Sequence, residues 1–136
     1  MVKKIFFMIF IFSAAILASP DNDLKKAVAT GNGALAEKSL AKGANTEIKN
    51  SEGLTPLAEA CRGRYVSIVA MLIKKKANVN AQGKDGKTIM KRVAEEIQSD
   101  EKKAEELGIP AGREPTHMRD LIEIHLMLRD AGALEN

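Results

Sequence analysis

The chain repeats itself at an interval of 33 residues, and that interval limits its fold more than any other feature. Gly43-Ala44-Asn45 leads to Gly53 and then Thr55-Pro56-Leu57; Ala77-Asn78, Gly86 and Thr88 fall in the same register 33 residues on. Between the two copies runs an apolar pattern at helical spacing, Val66, Val69, Met71, Leu72 and Ile73. A fixed period of this size marks a stacked array, in which each unit lacks a core until a neighbour covers it.

Thr55-Pro56-Leu57-Ala58-Glu59-Ala60 resembles the T-P-L-H-x-A signature of ankyrin repeats, with Ala58 where His is usual. The resemblance implies an all-α solenoid of about three helix-pair repeats joined by projecting β-turn loops, extending over nearly all of residues 21–136. The opening unit, 21–49, looks truncated: Asp21 or Asp23 caps a helix through Leu24, Ala27 and Val28, and Gly31-Asn32-Gly33 breaks it. A second helix through Leu35, Ala36 and Leu40 ends at Gly43, and Lys25, Lys26, Glu37 and Lys38 give the unit a polar outer face. The second unit, 50–82, is complete, with Thr55 as helix cap and Pro56 at the first helical position. The third, 83–136, starts its helix at Thr88 but then departs from the period. Ile122, Ile124, Met127 and Leu128 answer Val66, Ile68, Met71 and Leu72 at a displacement of 56, so 23 residues are inserted between the two helices, at about 98–117. The inserted Gln98–Glu106 is charged and helix-prone, Leu107-Gly108-Ile109-Pro110 reads as its stop, and Thr116 caps the last helix.

Residues 1–18 are read apart from this domain, which then covers 19–136. Lys3 and Lys4, an apolar run from Ile5 to Leu17, and Ala18 at a cleavage point form a secretory signal layout, too short for a comfortable membrane span. An uncleaved anchor is the rival reading. Without these residues the formal charge falls from +3 to +1 and all four Phe are lost, leaving Tyr65 as the single aromatic. A nearly balanced chain gives no electrostatic case for a nucleic-acid partner. The core must then be aliphatic. One cysteine, Cys61, permits no intrachain disulfide.

Residues suited to catalysis are few. His125 occupies the place of Val69 in the preceding unit and fits a core edge; His117 lies beside a helix cap. Their spacing of eight suits no i,i+4 metal pair. Cys61 shares a small buried column with Val28 and Ala94, with no base in view. The carboxylates between Glu95 and Glu106 alternate with lysines, as a solvated face does. Gly83-Lys84-Asp85-Gly86-Lys87 lacks the strand and spacing of a phosphate loop. The expectation is a non-enzymatic chain with no cofactor and no metal. Two oddities stand out. Lys26, Glu59 and Arg92 fall at one repeat position, usually apolar in the family, and suggest an ionic ladder of low net value. Lys76 replaces Gly43 and Gly132 at a turn that wants a left-handed backbone.

Ankyrin repeats are, as a family, binding modules whose partners lie on the turn tips and the exposed side of the first helices. Carried over, that surface comprises Lys49, Ser51, Glu52, Leu54 and Arg62 in the second unit and Gln82, Lys84, Asp85, Lys87 and Glu95 in the third. Leu54 is the apolar contact among charged neighbours; Tyr65, where His is usual, is assigned to packing before interface. The expected function is a monomeric periplasmic module, membrane-free once the signal is cleaved. It would bind a protein partner, inhibiting or shielding an enzyme such as a peptidoglycan hydrolase or peptidase, in self-protection or immunity. The alternatives are a membrane-anchored scaffold and an accessory partner of an oxidant-handling enzyme.

Overall fold

A computed structural model describes residues 19–110, 112–113 and 115–134; the expected signal, 1–18, lies outside the described residues. Among the described residues are six helices and no strand: α1 (Pro20–Thr30), α2 (Gly33–Ala41), α3 (Pro56–Arg62), α4 (Val66–Lys74), α5 (Ile89–Glu106) and α6 (Thr116–Asp130). They pack as pairs, α1 on α2, α3 on α4 and α5 on α6. The first helices then stack in one row (α1, α3, α5) and the second helices in another (α2, α4, α6). This is the expected all-α solenoid.

The first helices start alike because their sequences start alike. Ser19, Thr55 and Thr88 stand at the N-cap, their hydroxyls accepting from the backbone N–H of Asp21, Ala58 and Lys91 at 3.3, 3.4 and 3.2 Å. Pro20 and Pro56 follow at a position whose N–H would have had no partner. The cap of α1 is therefore Ser19, not Asp21 or Asp23. Asp21 does something else: its carboxylate accepts from the Asn45 N–H at 2.7 Å. Between later units the same kind of link crosses the repeat boundary, from the Asn78 N–H to Glu47 and from the Leu134 N–H to Asn80, both at 2.8 Å. Glu47 and Asn80 are 33 apart, Asn78 and Leu134 56 apart, as the displaced register of the third unit requires. Asp21, on the unit's own helix, thus supplies the acceptor that an upstream unit would supply.

Helices in both rows close with a left-handed residue. After α2, α4 and α6 the positions are Gly43 (φ +81°), Lys76 (+63°) and Gly132 (+88°); after α1 and α3 they are Gly31 (+71°) and Arg64 (+60°). The N–H groups of Ala44, Ala77 and Ala133 donate back to the carbonyls of Ser39, Leu72 and Leu128 at 3.0–3.1 Å, which satisfies carbonyls the helix leaves open. Lys76 has the strained backbone its alignment required, and Arg64 shares it.

The third unit differs by lengthening. Helix α5 has 18 residues and α6 has 15, against 7 in α3 and 9 in α4. The inserted Gln98–Glu106 simply continues α5, and Gly108 (φ +65°) ends it, with the Ile109 N–H bonded to the Ala104 carbonyl at 2.9 Å. Helix α6 begins at Thr116 with Pro115 at the cap and no side-chain hydrogen bond there, so Thr116 is its first residue and not its cap. Its added turn is held by buried Met118 and Leu121.

Among the described residues the core is aliphatic. Leu24, Leu57, Ile68, Leu72, Leu121, Ile124 and Leu128 are fully buried. Tyr65 is half-buried against this core. Its ring lies over Gly31 and Gly63, where an added Cβ would come within 2.5 and 2.3 Å of it. Packing, the favoured reading of Tyr65, is what it does.

Candidate protein-binding surface on the first-helix row

The turns preceding α3 and α5 are built by short side chains and glycine. Asn50 Oδ1 accepts from the N–H groups of Glu52 and Leu54, both at 2.9 Å, and Gly53 takes φ +77°. One repeat later Asp85 Oδ1 accepts from the Lys87 N–H at 3.2 Å, Gly86 takes φ +73°, and Gln82 bridges to Thr88. The turns are tied to each other: Lys84 Nζ donates to the Ser51 carbonyl at 2.7 Å, and its stem lies over Gly53, where a Cβ would come within 2.6 Å of it.

The charged residues of this face are paired locally. Glu52 pairs with Arg62, Asp85 with Arg92, and Lys87 with Glu95 at 2.7 Å. Against some desolvation, the Lys87 backbone N–H and the Arg92 guanidinium hold the Asp85 carboxyl below its ordinary value. Exposed pairs of this kind contribute about 0–1 kcal/mol each, so a partner's charges can replace one member at little loss.

Of the ten residues expected here, Ser51, Glu52, Arg62, Lys84, Asp85, Lys87 and Glu95 fall into these linked groups. Lys49 and Gln82 are exposed beside them. Leu54 is the exception, for it is 4% exposed and belongs to the core. The Asn50 turn folds its side chain inward, where it walls a cleft of about 50 Å³ with Ala58, Cys61, Ile89 and Val93. Arg62, Arg92 and Glu96 rim that cleft. Leu54 is thus a wall beneath the surface and not an apolar contact on it.

The ionic ladder is absent among the described residues. Glu59 accepts from Asn50 Nδ2 at 3.2 Å and lies 3.9 Å from Arg62, while Arg92 turns to Asp85. For Glu59 and Arg92, local groups lie closer than the equivalent helix position one layer away.

A second charge cluster, not foreseen, fastens the lengthened α5. Arg64 reaches Asp100 at 3.2 Å and Glu96 at 3.7 Å; Lys103 and His117 lie 3.9 and 3.8 Å from Asp100. Desolvation pushes the Glu96 carboxyl up; Arg64 opposes this and Asp100 adds to it. His117 therefore faces a carboxylate as well as solvent. The spacing of Arg64 from Gly31 carried a signal for the left-handed turn, but none for its carboxylate partners on α5. Burial first and Glu96 second push the Cys61 thiol far up, so it behaves as a small apolar group and not as a nucleophile.

Stacked helix pairs, projecting turns and a first-helix row with locally paired charges are the architecture of a repeat protein. A family model for ankyrin repeats, in three copies, matches residues 24–107, and the chain belongs to the ankyrin-repeat family. It is therefore a protein–protein interaction module. It is 42% identical over 71 residues to the BTB/POZ domain and ankyrin repeat-containing protein NPR3 of Oryza sativa subsp. japonica. The matched stretch is 50% of this chain and 12% of that protein, so the chain spans a small part of its relative's length.

Proposed function

We propose that the chain is an exported, non-enzymatic binder that docks its first-helix row over an enzyme of the periplasm and blocks it sterically. A cell-wall hydrolase or peptidase is the favoured target. The observation that carries the binding part is the linked surface from Ser51 to Glu95. Its turns are locked by the Lys84 bridge, so little conformational entropy is lost on docking. Its Glu52–Arg62 and Lys87–Glu95 charges are held in exposed pairs, and its centre is the Leu54–Val93 cleft, small enough to take one aliphatic side chain. The export part rests on Lys3, Lys4 and the apolar run Ile5–Leu17.

Two measurements test this reading. Intact mass of the protein recovered from the cell envelope gives a chain beginning at Ser19 if the signal is cleaved; a retained leader favours the anchored scaffold. Residues 19–136 are also added to a peptidoglycan suspension cleared by envelope extract. Clearing should slow, and Arg62→Glu with Arg92→Glu should restore it. Unchanged clearing by wild type, or equal inhibition by the double variant, defeats the proposal.

A further inference from the structure

A second groove lies at the lengthened end of the third unit, between α5 and α6, and shares no residue with the Arg62–Arg92 cleft. It encloses about 430 Å³. Its apolar side includes Ala104, Met118 and Ile122; Glu101 and Glu105, one helical turn apart, form the other wall. Along α6, Met118, Ile122 and Leu126 recur every fourth residue, so they share a stripe. Ile122 and Leu126 are 39% and 40% exposed. In the second unit the counterpart of Ile122, Val66, is packed against the core. Neither Glu101 nor Glu105 has a cation within salt-bridge distance among the described residues, although every carboxylate of the first-helix row discussed above is paired.

We infer that this groove is a docking site for a helical protein segment bearing lysine or arginine beside leucine-like side chains. The stripe sets the shape, because apolar positions one turn apart match the same spacing on a partner helix. The two glutamates, without an ion pair among the described residues, set the charge. A basic segment gains two attractions there without breaking an existing pair, whereas an acidic segment of equal apolarity meets repulsion along the whole wall. Since the groove shares no residue with the Lys49–Glu95 surface, its occupant can bind while that surface is engaged.

The test uses residues 19–136 and a fluorescein-labelled helical peptide with leucines at i, i+3, i+4 and i+7 and lysines between them. A control peptide carries glutamates in place of the lysines. Anisotropy should report binding of the lysine peptide that weakens as salt rises, and about tenfold or greater loss with Glu101→Lys plus Glu105→Lys. Both positions are exposed, and circular dichroism checks that the fold is retained. Methyl NMR should show shifts at Ile122 and Met118. The inference fails if the two peptides bind equally, or if the charge reversal leaves affinity unchanged. It also fails if the shifts fall on Ile89 and Val93 instead. Concentration-dependent dimerisation abolished by Ile122→Asp would assign the groove to a second copy and likewise overturn it.

Discussion

Two residues sit in left-handed turns without being glycine, and their surroundings predict different outcomes for the same substitution. Lys76 (φ +63°) is exposed and makes no ion pair among the described residues. A left-handed backbone costs a side-chain-bearing residue about 1 kcal/mol, so Lys76→Gly should raise the melting temperature by several degrees. Arg64 (φ +60°) carries the same strain but joins α5 through Asp100 and Glu96. Arg64→Gly should therefore gain less than Lys76→Gly, or lose stability, and thermal denaturation of the two variants side by side decides it. Glu96 supplies a pH signature. Its folded pKa is raised, so its contribution to stability is fully present below the unfolded value near 4.5 and is lost as pH rises through the folded value. At pH 7 Glu96→Gln should thus be more stable than wild type, and the gap should close below about pH 4.5 in urea titrations. The Lys76 backbone was legible in the sequence because Gly43 and Gly132 bracket it in register. Arg64 escaped because Gly31 was its single comparison residue, the third unit continuing α5 where the turn would fall.

At the scale of elements, the caps of α3 and α5 and the helix breaks were readable, whereas the caps of α1 and α6 and side-chain direction were not. Thr55, Pro56 and Thr88 act as their identities require, since a hydroxyl beside open N–H groups has one good use. Asp21 was read as a cap because acids favour helix starts; Ser19 and Pro20 already fill that role, which leaves the carboxylate for Asn45. Leu54 was assigned outward by carry-over from the family's turn surface, whereas the Asn50 turn points it inward. The contact between the first two units depends on Tyr65 lying flat over two glycines. Gly63→Ala should cost about 1–3 kcal/mol by forcing the ring out of place, as overpacking generally does. Gly31→Ala should cost more, since it adds left-handed strain to the same collision. In the background Tyr65→Ala the Gly63→Ala penalty should nearly vanish, a coupling that a double-mutant cycle in urea measures directly. An additive result would mean that the ring does not bridge the units.

For the molecule as a whole, three units are about the fewest that can bury one another, and the third is the longest. Helix α6 closes the second-helix row by packing on α4 and also covers α5. It brings Leu121, Ile124 and Leu128, all fully buried. Burying each is worth about 1.5–3 kcal/mol, so their combined share rivals the 5–15 kcal/mol that holds a domain of this size. Nearest-neighbour coupling would let the first two units survive alone only if their own contacts exceeded the entropy of ordering them. Their resources are slight among the described residues: α3 has seven residues, the first unit has no upstream neighbour there, and no described aromatic other than Tyr65 joins them. A chain ending at residue 110 should therefore lose most of its far-UV helical signal at 25 °C, including that of α1 and α2, which it still contains. Retention of a cooperative transition by that truncated chain would show instead that the first two units form an independent core. The lengthened third pair would then be an addition to the stack and not its keystone.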